Sequence, residues 1–292
     1  MSRAMRFVAC IVAVGLLCGT ATAGTPASYS QQFAYRMLYQ SAAAYCNATS
    51  LQNWDCPACA IPNFRVTQVA QSSKWNIQAY TGYDASINAI VVAYRGTEES
   101  SIKNWILDLQ ADHTSTTYPH CDCKVEAGFY EGHEALKPQI VPAVHSLVNQ
   151  FPSASVYVTG HSLGAAMAVL SAAHLQTQEG VNVDEIYTFG LPRVGDAAFS
   201  TWFNQNIPQA IHVTHHDDIV PHLPPELFGY HHTPTEVWYT ESSGLNYKVC
   251  NGSGEDPSCA DSVSVIDFSV ADHLVYLDLP ICGCKPLGPM PM

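Results

Sequence analysis

A serine between two glycines is the first candidate for chemistry in this chain: Ser162, in Gly160-His-Ser-Leu-Gly164. A serine hydroxyl is a weak nucleophile at neutral pH, so it needs a base to accept its proton and a carboxylate to orient that base. A strand-like run at 155–159 precedes the pentapeptide, and a helix-like run at 165–173 follows it. In that context the pattern is typical of a nucleophile on a sharp strand-to-helix turn, where any Cβ at the glycine positions would collide with its neighbours.

Two later segments could supply the carboxylate and the base. Asp217 and Asp218 follow the strand-like run Ala210–Thr214, and His273 lies near the C-terminus in Ala271–Tyr276. In sheets that carry such a serine turn, the acid and the histidine follow the serine in chain order, on loops after later strands. The sequence therefore predicts a Ser-His-Asp arrangement suited to acyl transfer, which requires no metal and no organic cofactor.

Other histidines offer an alternative, a metal site, because His215-His216 and His231-His232 are adjacent pairs. Adjacent side chains on an extended strand point to opposite faces, so the two histidines of a pair are not placed to coordinate the same ion. We expect these four to be loop or surface histidines and predict no metal. His161, beside the serine, is expected to be a packed, hydrogen-bonded support rather than a second base.

The runs around these residues alternate between strand and helix. The strand-like runs at 185–189 and 210–214 are separated by a helical stretch around 196–204, which indicates a parallel sheet with helical crossovers. No repeat or shift in composition marks an internal boundary. The predicted fold class is α/β, with one domain over residues 24–292 and a mostly parallel central sheet flanked by helices; such a length suits a single core.

Three further segments carry element predictions. The run from Phe33 to Cys46 has a helical pattern. The runs at 75–80 and 88–94 predict a β-hairpin whose turn contains Gly82. A helical pattern extends over 128–151, but Pro138 and Pro142 fall inside it, so we expect this helix to be broken or to begin late.

The first 23 residues resemble a secretory signal. Arg3 and Arg6 precede an apolar run, and Ala21-Thr-Ala23 is a small-residue cleavage site, which predicts a mature chain from Gly24. The apolar run is too short to span a bilayer, so we expect a secreted, extracellular protein without a transmembrane segment. Asn47 and Asn251 begin N-glycosylation sequons.

Charge and cysteine content limit the partners and the compartment. Removing two of the twelve basic residues with the signal would change the net charge from −13 to −15, which argues against nucleic acid and anionic membranes as partners. Nine of the eleven cysteines would remain, and in an oxidising compartment an odd count leaves at least one thiol free or intermolecular. Cys56-Pro-Ala-Cys59 is compatible with zinc or redox chemistry, but a structural disulfide is favoured.

Six segments, in order along the chain, resemble the class 3 (fungal-type) triacylglycerol lipases, a family that includes related feruloyl esterases. The segments are Tyr94–Thr97, Ser101–Ile106, Val158–Ala165, Thr188–Gly195, Asp217–Pro225 and Asp272–Tyr276. The likeness extends from about residue 33 to 284. It implies an α/β-hydrolase fold with a short helical lid.

The resemblance also implies roles for individual residues. Asp218, directly before Ile-Val-Pro, would be the acid and His273 the base, leaving Asp217 as a solvated loop residue or helper. The oxyanion hole would use the backbone N–H of Leu163, which follows the nucleophile, and the N–H and hydroxyl of Thr97.

Ser101–Leu109 bears on the substrate. Read as a helix, it places Ile102, Trp105, Ile106 and Leu109 on one apolar stripe. An ordinary core helix would show the same stripe, but the resemblance identifies this segment as a mobile lid over the nucleophile. An apolar lid favours acylglycerol substrates at a lipid–water interface.

Two alternatives stay open. The first is a feruloyl or other carboxylesterase acting on plant-wall or soluble esters. The second, from a different class, is a catalytically inactive secreted interaction protein that keeps the hydrolase fold.

Overall fold

The computed structural model describes residues 28–111, 114–207 and 209–291, so the predicted signal segment lies outside the described residues. The helices are α1 Gln31–Ala43, α2 Ala48–Asn53, α3 Ile102–Ala111, α4 Ala127–Gln150, α5 Leu163–Thr177 and α6 Ala197–Asn206. The first seven strands are β1 Phe64–Ser72, β2 Ile77–Asp84, β3 Ala89–Tyr94, β4 Ser115–Tyr118, β5 Cys123–Glu126, β6 Ser155–His161 and β7 Glu185–Phe189. The others are β8 Gly195–Asp196, β9 Ala210–His215, β10 Tyr230–His231, β11 Glu236–Tyr239, β12 Tyr247–Val249, β13 Val275–Tyr276 and β14 Leu279–Pro280.

A central eight-stranded sheet organises these elements in the order β1-β2-β3-β6-β7-β9-β11-β12. Neighbours from β3 to β11 pair in parallel, whereas β1, β2 and β12 pair antiparallel at the two edges. The predicted parallel sheet with crossovers is confirmed. A parallel core buried on both faces explains the continuous apolar runs of these strands.

Each face of the sheet has its own apolar cluster. On one face Val156 and Val158 of β6 pack with α4 and α5, and on the other Tyr157 packs against the cluster that contains α1. Side chains alternate between faces along a strand, so a single strand contributes to both clusters. This sandwich of helices around the sheet holds the carboxyl ends of β3, β6, β7 and β9 at one edge.

The predicted hairpin forms, but Gly82 does not lie in its turn. Gly82 lies inside β2, paired with Val66 and Val91, and the chain reverses over residues 85–88. A Cβ at position 82 would lie 2.7 Å from the ring of Phe64, so the glycine is needed for a close approach of that side chain.

Helix α4 corrects the expectation of a broken or late helix. It runs unbroken from Ala127 through Pro138 and Pro142 to Gln150. Both prolines are exposed, whereas the opposite face, which includes Phe129 and Val144, is buried. Carbonyls that lose a partner to proline on an exposed face can be hydrated, while packing of the buried face keeps the helix intact.

Among the described residues, eight cysteines form four disulfides: Cys46–Cys284, Cys56–Cys59, Cys121–Cys123 and Cys250–Cys259. The ninth described cysteine, Cys282, is a buried free thiol. Cys56 and Cys59 are therefore joined to each other rather than placed as ligands for zinc. Within the described ranges, no helix has the length and apolar character to cross a membrane.

Candidate active site

Ser162 occupies the turn between β6 and α5, with φ 60° and ψ −132°. A positive φ is strained for a residue with a Cβ and recurs at functional sites. A Cβ on Gly160 would collide with the carbonyl of Gly164, and one on Gly164 with the carbonyl of Tyr94. The two glycines therefore permit the tight turn for the steric reason predicted from the sequence.

His273 and Asp218 come together although 55 residues separate them. His273 lies on a short 3-10 turn before β13, Asp218 follows β9, and His273 Nδ1 is 2.8 Å from Asp218 Oδ2. Both side chains are fully buried. A buried carboxylate at this distance fixes the tautomer and orientation of the imidazole and stabilises its protonated form.

Oγ of Ser162 and Nε2 of His273 are among the side-chain atoms that have no hydrogen-bond partner in the described structure. Both are buried. Both residues contact the segment that follows β7. The backbone N–H of Ser162 donates to the Phe189 carbonyl, and Gly190, which follows Phe189, packs against the His273 ring. Serine–base contacts are often long before substrate binds and tighten in the complex.

Tyr276 is a contributor that the sequence reasoning missed. Its hydroxyl donates to Asp218 Oδ2, while the backbone N–H of Val220 donates to Oδ1 at 2.8 Å. Burial and the charge of Asp218 hold the pKa of Tyr276 well above its usual value, so it remains a protonated donor. Its position three residues after His273, in a segment of known resemblance, was the only sequence signal.

His161 is a packed support, as expected. Its Nε2–H donates to the His273 carbonyl at 2.8 Å, and its Nδ1 accepts from the Tyr45 hydroxyl at 2.6 Å. Burial, then the nearby charge of His273, lowers the pKa of His161 well below its usual range. A neutral ring stacked 4.5 Å from the His273 ring does not oppose formation of a charged imidazolium. The sequence reasoning also did not identify Tyr45 as a hydrogen-bond partner of His161.

The predicted oxyanion donors flank the serine. Leu163 is the first residue of α5, so no carbonyl of the same helix lies four residues before its backbone N–H. Gly96 brings the chain after β3 close to the nucleophile, since a Cβ there would lie 3.0 Å from that of Ser162. The next residue, Thr97, has a buried Oγ1 without a partner among the described residues. Its hydroxyl is therefore available for an added acceptor.

The predicted lid is helix α3. Ile102, Ile106 and Leu109 are buried and Trp105 is partly buried, whereas Leu107 on the outer side is 60% exposed. Trp105 and Leu109 share a cavity of about 420 Å³ with Leu163. The apolar stripe thus turns inward and covers space next to a proposed oxyanion donor.

The other histidines only partly fit the expectation. His216 and His231 are half-exposed and His232 lies in a loop, although it is buried; His215 is a buried residue of β9, so the expectation of a loop or surface position was wrong for His215. Each buried ring bonds a backbone carbonyl: His215 that of Asp272, and His232 that of Pro221. A neutral imidazole can be buried at a much lower cost than a charged one, and burial lowers the pKa of His232 well below its usual range.

Comparisons with known proteins agree with this architecture. A family model described as "Lipase (class 3)" matches residues 91–228. A lipase from Rhizomucor miehei is 36% identical over 82% of this chain and 66% of that protein. A secreted mono- and diacylglycerol lipase from Fusarium solani is 32% identical over 87% of this chain and 78% of that protein. Among solved structures, a propeptide complex of the Rhizomucor miehei lipase superimposes with a TM-score of 0.80, at 33% identity, over 90% of this chain and 87% of that one. The chain thus spans just under two thirds of the full Rhizomucor protein.

Proposed function

This chain belongs to the class 3 lipase family, and we propose that it is a secreted serine hydrolase that cleaves the ester bonds of acylglycerols at a lipid–water interface. The observation that carries the proposal is the assembly around Ser162. A strained serine with an unpartnered Oγ lies beside a buried His273 that is paired to Asp218 and retains a free Nε2.

The geometry supports a two-step mechanism. Ser162 Oγ attacks the ester carbonyl as His273 Nε2 takes its proton, and Asp218 stabilises the resulting imidazolium. The tetrahedral oxyanion is stabilised by the N–H of Leu163 and by Thr97. Collapse breaks the bond to the alcohol, which leaves with the proton from His273. Water then attacks the acyl-enzyme by the same route and releases the fatty acid and the free serine.

The inward stripe of α3 supports an apolar, aggregated substrate. While α3 covers the site, its buried side chains are shielded from water; when it opens, they can contact lipid. Moving each such side chain from water into an apolar phase is worth about 1.5–3 kcal/mol, so Ile102, Ile106 and Leu109 together can offset the opening of the helix.

Two measurements test the proposal. A serine-active phosphonate should label Ser162 in the wild type and leave Ser162→Ala unlabelled; absence of labelling in the wild type would mean an inactive interaction protein. Hydrolysis of emulsified triolein should exceed that of soluble methyl ferulate. A strong preference for the ferulate would replace the lipase assignment with a phenolic-ester hydrolase.

A further inference from the structure

A second group of chemically capable side chains lies next to the candidate active site. His216 Nδ1 is 3.1 Å from Asp272 Oδ2 and 3.2 Å from Asp217 Oδ2. One ligand atom from each of the three residues lies within 4.8 Å of the others. The side chains of His216, Asp272 and Asp217 are 29%, 17% and 25% exposed, so water can reach the point on which they converge.

We propose that His216, Asp217 and Asp272 bind a divalent transition-metal ion of the Zn²⁺ type. One imidazole nitrogen and two carboxylate oxygens form a mixed ligand set that suits Zn²⁺ and its neighbours, whereas Ca²⁺ and Mg²⁺ prefer oxygen alone. The ion would take the Nδ1 lone pair in place of the proton through which the ring now bonds Asp272. Water would complete the coordination, and the displaced proton would pass to solvent.

Three other groups of metal-ligating atoms occur among the described residues, and each is already satisfied. Two contain disulfide-bonded cysteines: Cys46, Cys56 and Cys284 in one, and Cys250 and Cys259 with Glu236 in the other. The third, formed by Glu226, His231 and Glu255, is neutralised by the Arg193 guanidinium, 2.8 Å from Glu255.

The group around His216 has no such cation. In the part of the chain that the structure describes, the only partner within ion-pair distance of Asp217 or Asp272 is His216 itself. Asp218, another carboxylate, follows Asp217 directly. A divalent ion would therefore balance negative charge that the imidazole balances only when it is protonated.

The position of His216 explains why this group could not be predicted from the alternation of side chains along a strand. His216 lies one residue beyond β9 with φ 42°, so the strict alternation that turns His215 into the protein no longer sets its direction. Its two carboxylates come from separate segments, one next to Asp218 and the other next to His273. These segments are already joined where Ser269 N–H donates to the Asp217 carbonyl at 2.8 Å. A bound ion would be a further link between the acid-bearing and base-bearing segments without touching the substrate.

The test uses the full secreted chain after treatment with a chelator. Titration calorimetry with ZnCl₂ should give one ion per chain, and CoCl₂ should produce a visible absorption band. His216→Ala and Asp217→Asn should each weaken Zn²⁺ binding by about tenfold or more. His231→Ala is the matched control, since His231 is 30% exposed and also lies near carboxylates; it should bind Zn²⁺ like the wild type. Zn²⁺ should raise Tm in the wild type and His231→Ala, but not in His216→Ala.

Four results would overturn the proposal: no stoichiometric Zn²⁺ binding to the wild type, unchanged binding in His216→Ala, equal loss in His231→Ala, or binding of Ca²⁺ in preference to Zn²⁺. If His216→Ala fails to fold by circular dichroism, Asp217→Asn, which keeps the shape of the side chain, decides. Ester hydrolysis is not the readout, so the outcome is independent of the proposed esterase activity.

Discussion

Three donors fix the carboxylate of Asp218: His273 Nδ1 and the Tyr276 hydroxyl bond one oxygen, and the Val220 N–H bonds the other. A buried carboxylate is stable only when its oxygens are satisfied in this way. Because the donors come from both sides of the carboxylate, it cannot rotate away from the imidazole. At the scale of single residues, the positions of the proposed acid and base are thus set by hydrogen bonds as well as by the sheet.

Tyr276→Phe should therefore affect both stability and turnover. Removing a donor to a charged acceptor should lower the free energy of unfolding by about 1.5–3 kcal/mol, as measured in urea. The looser Asp218 should lower kcat on a soluble ester with little change in KM. Tyr94→Phe is the matched control, because the buried Tyr94 hydroxyl donates to Ser171 rather than to Asp218; it should lose stability but keep kcat. An unchanged kcat in Tyr276→Phe would show that two donors suffice.

Thr97 offers a second prediction at this scale, because its buried hydroxyl has no partner among the described residues. If the hydroxyl binds the oxyanion, Thr97→Val should lower kcat by about 10²–10³ while packing is retained. Thr97→Ser, which keeps the donor, should stay much closer to the wild type. If Thr97→Val were as active as the wild type, Thr97 would contribute to the oxyanion hole through its backbone N–H and not through its hydroxyl.

At the scale of elements, the site depends on where strands end and helices begin. Ser162 follows β6, Asp218 lies shortly after β9, and α5 begins directly after the serine, at Leu163. Parallel pairing brings these carboxyl ends to one edge, where ligands bind in open α/β sheets. Helix α3, the proposed lid, shares a cavity with Leu163 at that edge and has Ile106 on its buried side and Leu107 on its exposed side.

Ile106→Ser should shift the balance between substrates. Burying a polar serine in place of the buried isoleucine weakens the closed position of α3, so hydrolysis of a soluble short-chain ester should rise. It also removes apolar area that would contact lipid, so the rate on emulsified triolein should fall. Leu107→Ser, on the outer side of the same helix, is the control and should raise the soluble rate far less. If both variants behave alike, the inward stripe does not act as a lid.

At the scale of the whole molecule, the folded state buries several neutral histidines. Burial lowers the pKa of His133 to about 3 and that of His212 to about 4, from an ordinary value of 6.5. His133 lies on the face of α4 toward α5, with its ring 5.7 Å from that of His174. The unfolded chain takes up protons on these side chains as pH falls through 6.5, whereas the folded chain does not. These two histidines therefore contribute a loss of stability as the pH falls from about 6.5 to about 4.

His133→Leu should reduce that acid sensitivity. Each buried neutral histidine contributes a slope of up to about 1.36 kcal/mol per pH unit, so removing one should lower the pH dependence of the unfolding free energy by about that amount. Urea unfolding at pH 7, 6 and 5 measures it. His231→Leu, at a half-exposed position, should leave the slope nearly unchanged. The prediction would be contradicted if the unfolding free energies of His133→Leu and the wild type changed with pH by the same amount.

Local patterns in the sequence were sufficient for much of the site. The glycines around Ser162 and the stripe on α3 depend on residues a few positions apart, and Asp218 and His273 were each recognised from the short segment around them. Steric limits at a tight turn and the 3.6-residue period act over that same distance, so they can be recognised in the chain itself. The parallel sheet followed from the alternation of strands and helices for the same reason.

What only the tertiary structure decided are contacts between distant segments. Gly82 makes room for the ring of Phe64 instead of forming a turn, and packing keeps α4 helical through two prolines. Cys46 forms a disulfide with Cys284, 238 residues later in the chain. Tyr276 reaches Asp218, and His216 meets Asp272, only because β9 and the C-terminal segment adjoin. Such contacts depend on how the sheet places its neighbours, and no spacing along the chain encodes that placement. The sequence by itself therefore determined which residues were suited to chemistry, and the fold decided which of them meet.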